Sequence, residues 1–204
     1  MTTAAESQER LRAYHARHEQ YLRLGHDRQG AARFIVESAG VLRGPALDVG
    51  TGKGLLAMAL ANQGLEVVSV DVDAAEQALA RQLAAEAGRD GCIRFVRGDG
   101  ARLGFADAGF GCVAMMDVLH HLADAGPVLR EMTRVLAAGG GFVLADFDEA
   151  GFALVERVHR AEGHTHPRTA TTVAHARDIL LAAGLACVRQ TQGHLHDVVV
   201  MIKN

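Results

Sequence analysis

Tryptophan is absent from this sequence, and aromatic residues make up only 4% of its 204 positions. Stacking partners for a large flat ligand are therefore few. An excess of positive charge is missing too. The net charge is -3 and no lysine- or arginine-rich run occurs, so the chain lacks the electrostatic footprint of a nucleic-acid binder. No apolar run approaches membrane-spanning length, and the opening MTTAAESQERLRAYHARHEQ has no apolar h-region. The expectation is a cytoplasmic protein with no membrane partner. Three cysteines, Cys92, Cys112 and Cys187, are odd in number and far apart. That argues against a disulfide framework, and they read as small buried hydrophobes.

What is present suits one domain over residues 1–204, with apolar content of 49% and charged content of 22%. Its centre is Ala46–Ala61, ALDVGTGKGLLAMALA. A short apolar run ends on Asp48, Gly50, Gly52 and Gly54 alternate with other residues, and a run of helix formers stops at Gly64. Strand, glycine-rich turn and helix bring backbone amides close to a cofactor. A dinucleotide fingerprint requires glycine where Leu55 stands, which opposes a nicotinamide reductase. A phosphate-binding loop requires glycine at Leu47 and Ser or Thr at Gly54, so that pattern fails too. What remains is D-x-G-x-G-x-G, whose acid suits a ligand carrying ammonium and sulfonium charge better than pyrophosphate.

The rest of the chain alternates strands and helices. Ser7–Leu24 and Arg28–Ala39 read as two helices, a cap over residues 1–40 separated by the polar LGHDRQG. Tyr21, His26 and Arg28 are candidates for a ligand contact from that cap. Glu66–Asp71 reads as a second strand, followed by a helix from Asp73 with Glu76 completing a capping box. Ile93–Val96 leads to Gly98-Asp99-Gly100, and Phe110–Met116 reads as a central strand buried on both faces. Pro127–Leu136 reads as a helix closed by Gly139–Gly141, then Phe142–Asp146 as a fifth strand. After a helix over Thr171–Ala183, LACVRQT and DVVVMIK flank a GHLH turn, so those two strands must be antiparallel.

The glycine-rich turn resembles motif I of the class I S-adenosylmethionine (SAM)-dependent methyltransferases, and the likeness extends over nearly the whole chain. It implies an α/β, Rossmann-like, doubly wound sheet of seven strands, mostly parallel with an antiparallel last strand and helices on both faces. It implies SAM as cofactor, held at Asp48, Gly50, Thr51, Gly52 and Gly54. Asp71, with Val72 beside it, would accept the ribose hydroxyls; Asp99 would accept from the adenine amino group while the amide of Gly100 donates to the ring. Asp117 would lie under the methionine end. Asn/Asp-Pro-Pro-Tyr, the signature of enzymes that methylate exocyclic or amide nitrogens, is absent.

Eleven histidines are unevenly placed. His120 and His121 follow the fourth strand and are candidates for a general base. His164, His166, His194 and His196, with Asp146, are candidates for a substrate mouth at the carboxyl ends of the strands. Solvated loop histidines, a substrate pocket and a metal site all fit the pattern, and no metal ligand set is assigned. The appended segment 149–172 would shape an acceptor pocket. The reading is a methyltransferase acting by in-line displacement on a small-molecule acceptor, with a homodimer compatible. A SAM-binding sensor or inactive partner subunit, and a macromolecule methyltransferase, are the alternatives.

Overall fold

The computed structural model describes residues 4–163 and 168–204. Its strands are β1 (Ala46–Val49), β2 (Val67–Asp71), β3 (Ile93–Arg97), β4 (Phe110–Met116), β5 (Leu136–Phe147), β6 (Leu185–Gly193) and β7 (His196–Lys203). They form one sheet in the order β3-β2-β1-β4-β5-β7-β6. Pairing is parallel from β3 through β5, and β7 runs antiparallel between β5 and β6. The expected seven-stranded sheet with its antiparallel last strand is therefore what the chain forms.

Among the described residues, seven α-helices cover it: α1 (Ala4–Arg23), α2 (Arg28–Ser38), α3 (Leu55–Asn62), α4 (Ala74–Glu86), α5 (Gly126–Val135), α6 (Glu149–Ala161) and α7 (Val173–Ala182). Alternation along each strand sorts the core into two layers. Leu47, Val113, Met115 and Leu144 face Leu129, Met132 and Leu180 of α5 and α7. Ala46, Ala114, Val143 and Val198 face Ile35, Leu56 and Leu60 of α2 and α3. Helix α1 joins neither layer; Tyr14 packs on Leu79 and Leu83, and Tyr21 packs on Val155 and Val158. The strand order reverses at β1 and β4, which opens a crevice at their carboxyl ends.

Three local expectations need correction. Of the cysteines expected to be buried, Cys112 is, whereas Cys92 and Cys187 are exposed. Gly139–Gly141 do not close α5; that helix ends at Val135, and Leu136 turns at once to extended backbone (ψ 132°), so the glycines run on inside β5. Glu76 does not complete a capping box. Asp73 does accept from the amides of Ala75 and Glu76, but its own N–H donates to Asp71 Oδ1 at 2.9 Å. Glu76 turns instead to Lys53 and Arg10.

Candidate active site

Two cavities occupy the crevice. The first, of about 500 Å³, is lined by Val49, Gly50, Gly52, Val70, Asp71, Val72, Glu76, Gly98, Asp99, Gly100, Asp117, Val118, His121, Leu122 and Val128. Most residues expected to hold a cofactor meet here. The backbone at Gly50 has φ +87°, and a Cβ there would stand 2.2 Å from Val118 Cγ2. At Gly52 (φ +47°) nothing lies within 4 Å of a Cβ position, so the ridge of the turn leaves open space beside its backbone. Asp71 holds that ridge, accepting the Gly52 N–H at 2.8 Å. Asp99 takes the Ala101 N–H at 2.9 Å, which fixes its carboxylate at the opposite end.

Three motif residues sit elsewhere. Asp48 is buried beneath the turn, where Ser69 donates to it at 2.6 Å and Thr51 Oγ1 lies 2.6 Å from the Ser69 hydroxyl. Burial pushes its carboxyl up to about 7, against the Ser69 bond, with Asp71 adding to the rise. Gly54 caps α3 at φ +75° beside Ala80. Both support the turn from below and line neither cavity. Thr51 lines the second cavity.

That second cavity, of about 250 Å³, shares Gly50, Gly52, Asp117 and His121 with the first. Its other walls come from Tyr21, His26 and Arg28 of the cap, Met116 and His120 at the end of β4, and Phe147, Val155 and His159 around α6. The cap candidates thus do face a cavity. Arg28 lies 5.1 and 4.8 Å over the rings of Tyr14 and Tyr21, and its buried Nε and Nη2 have no hydrogen-bond partner among the described residues. His26 is buried, and burial with His196 and Arg28 nearby draws it down to about 4, so its ring is neutral. His121 is also lowered, by burial and by His120, against the pull of Asp146 and Asp117. It presents a neutral imidazole where the cavities join.

Two histidine–aspartate pairs lie at or behind this wall. His120 Nδ1 lies 2.6 Å from Asp146 Oδ1, while Asp146 Oδ2 accepts the His120 amide at 3.0 Å. His196 Nε2 lies 2.9 Å from Asp117 Oδ1. Asp146 and His196 line neither cavity, and the His194 ring lies against Phe34 at 5.1 Å. The expected role of Asp146, His194 and His196 in touching substrate is corrected accordingly: Asp146 and His196 are taken up by protein partners behind the wall, and His194 is exposed on the turn and lines neither cavity. His164 and His166 lie outside the described residues. Sequence reasoning missed Phe147, Val155 and Met116; as apolar residues inside regular elements they carry no signal but burial. Among the described residues, no three of His, Cys, Asp and Glu converge to hold a metal.

Residues 47–144 match the methyltransferase domain family. The C-methyltransferase UbiE of Azotobacter vinelandii, of ubiquinone/menaquinone biosynthesis, is 31% identical over 133 residues, 63% of this chain and 53% of the relative. The demethylmenaquinone methyltransferase of Thermus thermophilus is 36% identical over 118 residues, 55% of this chain and 53% of the relative. The chain thus spans little more than half the length of these curated relatives. Among solved structures, the glycopeptide N-methyltransferase MtfA in complex with SAM matches 86% of this chain and 94% of its own (TM-score 0.69, 19% identity). The YcgJ protein of Bacillus subtilis matches 87% and 98% (TM-score 0.65, 19% identity). The likeness to these structures shows that the chain shares their fold. The acids Asp71 and Asp99 at the cavity's ends and the Arg28 Nε and Nη2, which have no hydrogen-bond partner among the described residues, would suit the hydroxyls, base and carboxylate of SAM.

Proposed function

We propose that the protein transfers the methyl group of SAM to a small-molecule acceptor. The observation that carries this reading is the junction: a cavity fit for an adenosyl group opens at Gly50, Gly52, Asp117 and His121 into a second, smaller one. When bound, SAM supplies a methyl group already activated on a sulfonium. Asp71 and Asp99 would hold the ribose and base, and Arg28 the carboxylate of the methionyl arm. The chain's further task is to orient and dehydrate the acceptor. Tyr21, Phe147 and Val155 exclude water, and His121, neutral at pH 7, takes a proton from the acceptor at a ring nitrogen.

The curated relatives named above are C-methyltransferases of quinone biosynthesis, and a quinone-like carbon acceptor is the runner-up. The neutral imidazoles and arginines of the second cavity favour a compact polar acceptor over one with a long apolar tail. The test is incubation with methyl-labelled SAM and a fractionated cell extract. Label is expected in small molecules. Label confined to protein or nucleic acid would overturn the reading, and tight SAM binding without turnover would favour a sensor.

A further inference from the structure

His196 is fully buried at the start of β7. Its Nδ1 lies 2.7 Å from the carbonyl oxygen of His194 and its Nε2 lies 2.9 Å from Asp117 Oδ1. A carbonyl and a carboxylate only accept. Both ring nitrogens must therefore carry protons for both bonds to form, which makes the ring an imidazolium. Burial opposes that charge, but facing Asp117 and bonding to both acceptors outweighs it and holds the ring above its usual range.

The turn that supplies the first acceptor is costly. His194 (φ 52°) and Leu195 (φ 66°) are both left-handed, at positions where two-residue hairpin turns take Asn and Gly. Asp117 is left-handed too, at φ 58°. Three strained residues thus meet at one ion pair, and strain of this kind persists only where the surroundings over-determine it. Here the surroundings do: Asp148 donates to the Leu195 carbonyl at 3.0 Å, Phe34 backs the His194 ring, and the Asp117 amide is tied to Ala145 at 3.1 Å. Asp117 is the one carboxylate among the four residues that both cavities share.

We propose that the strained β6–β7 turn serves to present a doubly protonated His196 to Asp117, making His196 the positioning residue that aims this carboxylate at the charge-bearing arm of the cofactor. The proposal rests on the reading that the arm passes the junction. Asp117 would face the arm's ammonium and sulfonium while Arg28 faces its carboxylate. Without His196, the Asp117 carboxylate is drawn toward Arg28, a cation it already senses. The arm then loses both partners at once.

The test is calorimetric titration of His196→Leu, His196→Gln, Asp117→Asn and the Leu/Asn double variant. Each is titrated with SAM and with 5′-methylthioadenosine, which lacks the arm and its charges. His196→Leu is expected to weaken SAM by about tenfold, the scale of one charge-assisted hydrogen bond, and to leave methylthioadenosine within about twofold. His196→Gln, which keeps a single donor, should fall between. Because His196 acts through Asp117, the double variant should bind SAM no worse than Asp117→Asn alone. The proposal is overturned by any of three outcomes in folded protein: unchanged SAM affinity, equal losses for both ligands, or additive losses in the double variant. Circular dichroism checks the fold, and if His196→Leu is unfolded the Gln variant decides by the same ligand comparison. Failure of the cofactor reading itself would look different, as wild-type protein that binds neither ligand.

Discussion

The two cavities share a junction but are assembled differently. The adenosyl side is made of strand ends: Asp71 closes β2, the Asp99 turn follows β3, and Gly50 and Gly52 follow β1. Each functional residue there lies next to the strand that places it. The acceptor side draws on α1, the α1–α2 loop, the ends of β4 and β5, and α6. Its geometry depends on pairs that close only in the fold, 26 residues apart for His120–Asp146 and 79 for Asp117–His196. On the proposed function, the contrast follows from what each side would recognise. A constant ligand is served by backbone and strand-end acids, whereas an acceptor is read by side chains carried on helices and loops.

The steepest way to break the comparison is at the element both cavities use. Gly50→Ala would force a left-handed alanine whose Cβ stands 2.2 Å from Val118. A loss of several kcal/mol in stability is expected, with SAM binding lost in whatever fraction folds. Chemical denaturation and calorimetry would measure both. A stable, binding-competent variant would show that the turn is not built as described.

Next in size is the acceptor side's internal scaffold. Asp146→Ala removes the buried partner of His120 and the acceptor for the His120 and Phe147 amides. A destabilisation of about 3 kcal/mol is expected, read as an earlier denaturation midpoint. Asp71→Ala makes the opposite division. It should leave stability nearly unchanged and weaken SAM by about a hundredfold, since a charged acceptor for two hydroxyls and for the Gly52 amide is gone. Unchanged SAM affinity in a folded variant would mean the adenosyl group lies elsewhere.

The same division explains what the sequence made legible. Asp71, Asp99, Gly50 and Gly52 could be named because each stands at a strand end, and period and turn chemistry locate strand ends. The parallel sheet followed from alternating strands and helices and the antiparallel last pair from one short hairpin, whereas the strand order appears only in the fold. His196 could be named as a histidine near the rim, but not as a residue facing inward. That depends on two left-handed residues in a His-Leu turn, and nothing in their side chains announces such a conformation. Phe147 and Val155 were invisible for a plainer reason, because apolar residues look alike whether they wall a pocket or fill a core. The Asp48 acid was read by position alone, and its burial beneath Ser69 and Thr51 shows a foundation where the motif suggested a contact.

Asp48 gives the smallest and most selective prediction. Its folded pKa of about 7 lies well above the usual 3.8. Below about pH 4 both folded and unfolded chains hold the proton, and this group contributes no pH dependence. Between about 4 and 7 the unfolded chain releases it while the fold keeps it, so stability falls as pH rises. Above 7 the folded carboxyl ionises as well and the penalty levels off. Asn cannot titrate and can still accept from Ser69, so Asp48→Asn should match the wild type at pH 4 and exceed it by about 1–2 kcal/mol at pH 8. That is less than the whole shift would give, because a carboxylate formed there can draw in water. His26, held at about 4, pushes stability the other way, down as pH falls. It does so equally in both proteins and drops out of the difference. Denaturation curves from pH 4 to 8 that run parallel for the two proteins would place the Asp48 carboxyl in contact with solvent, and the turn would then need a different foundation.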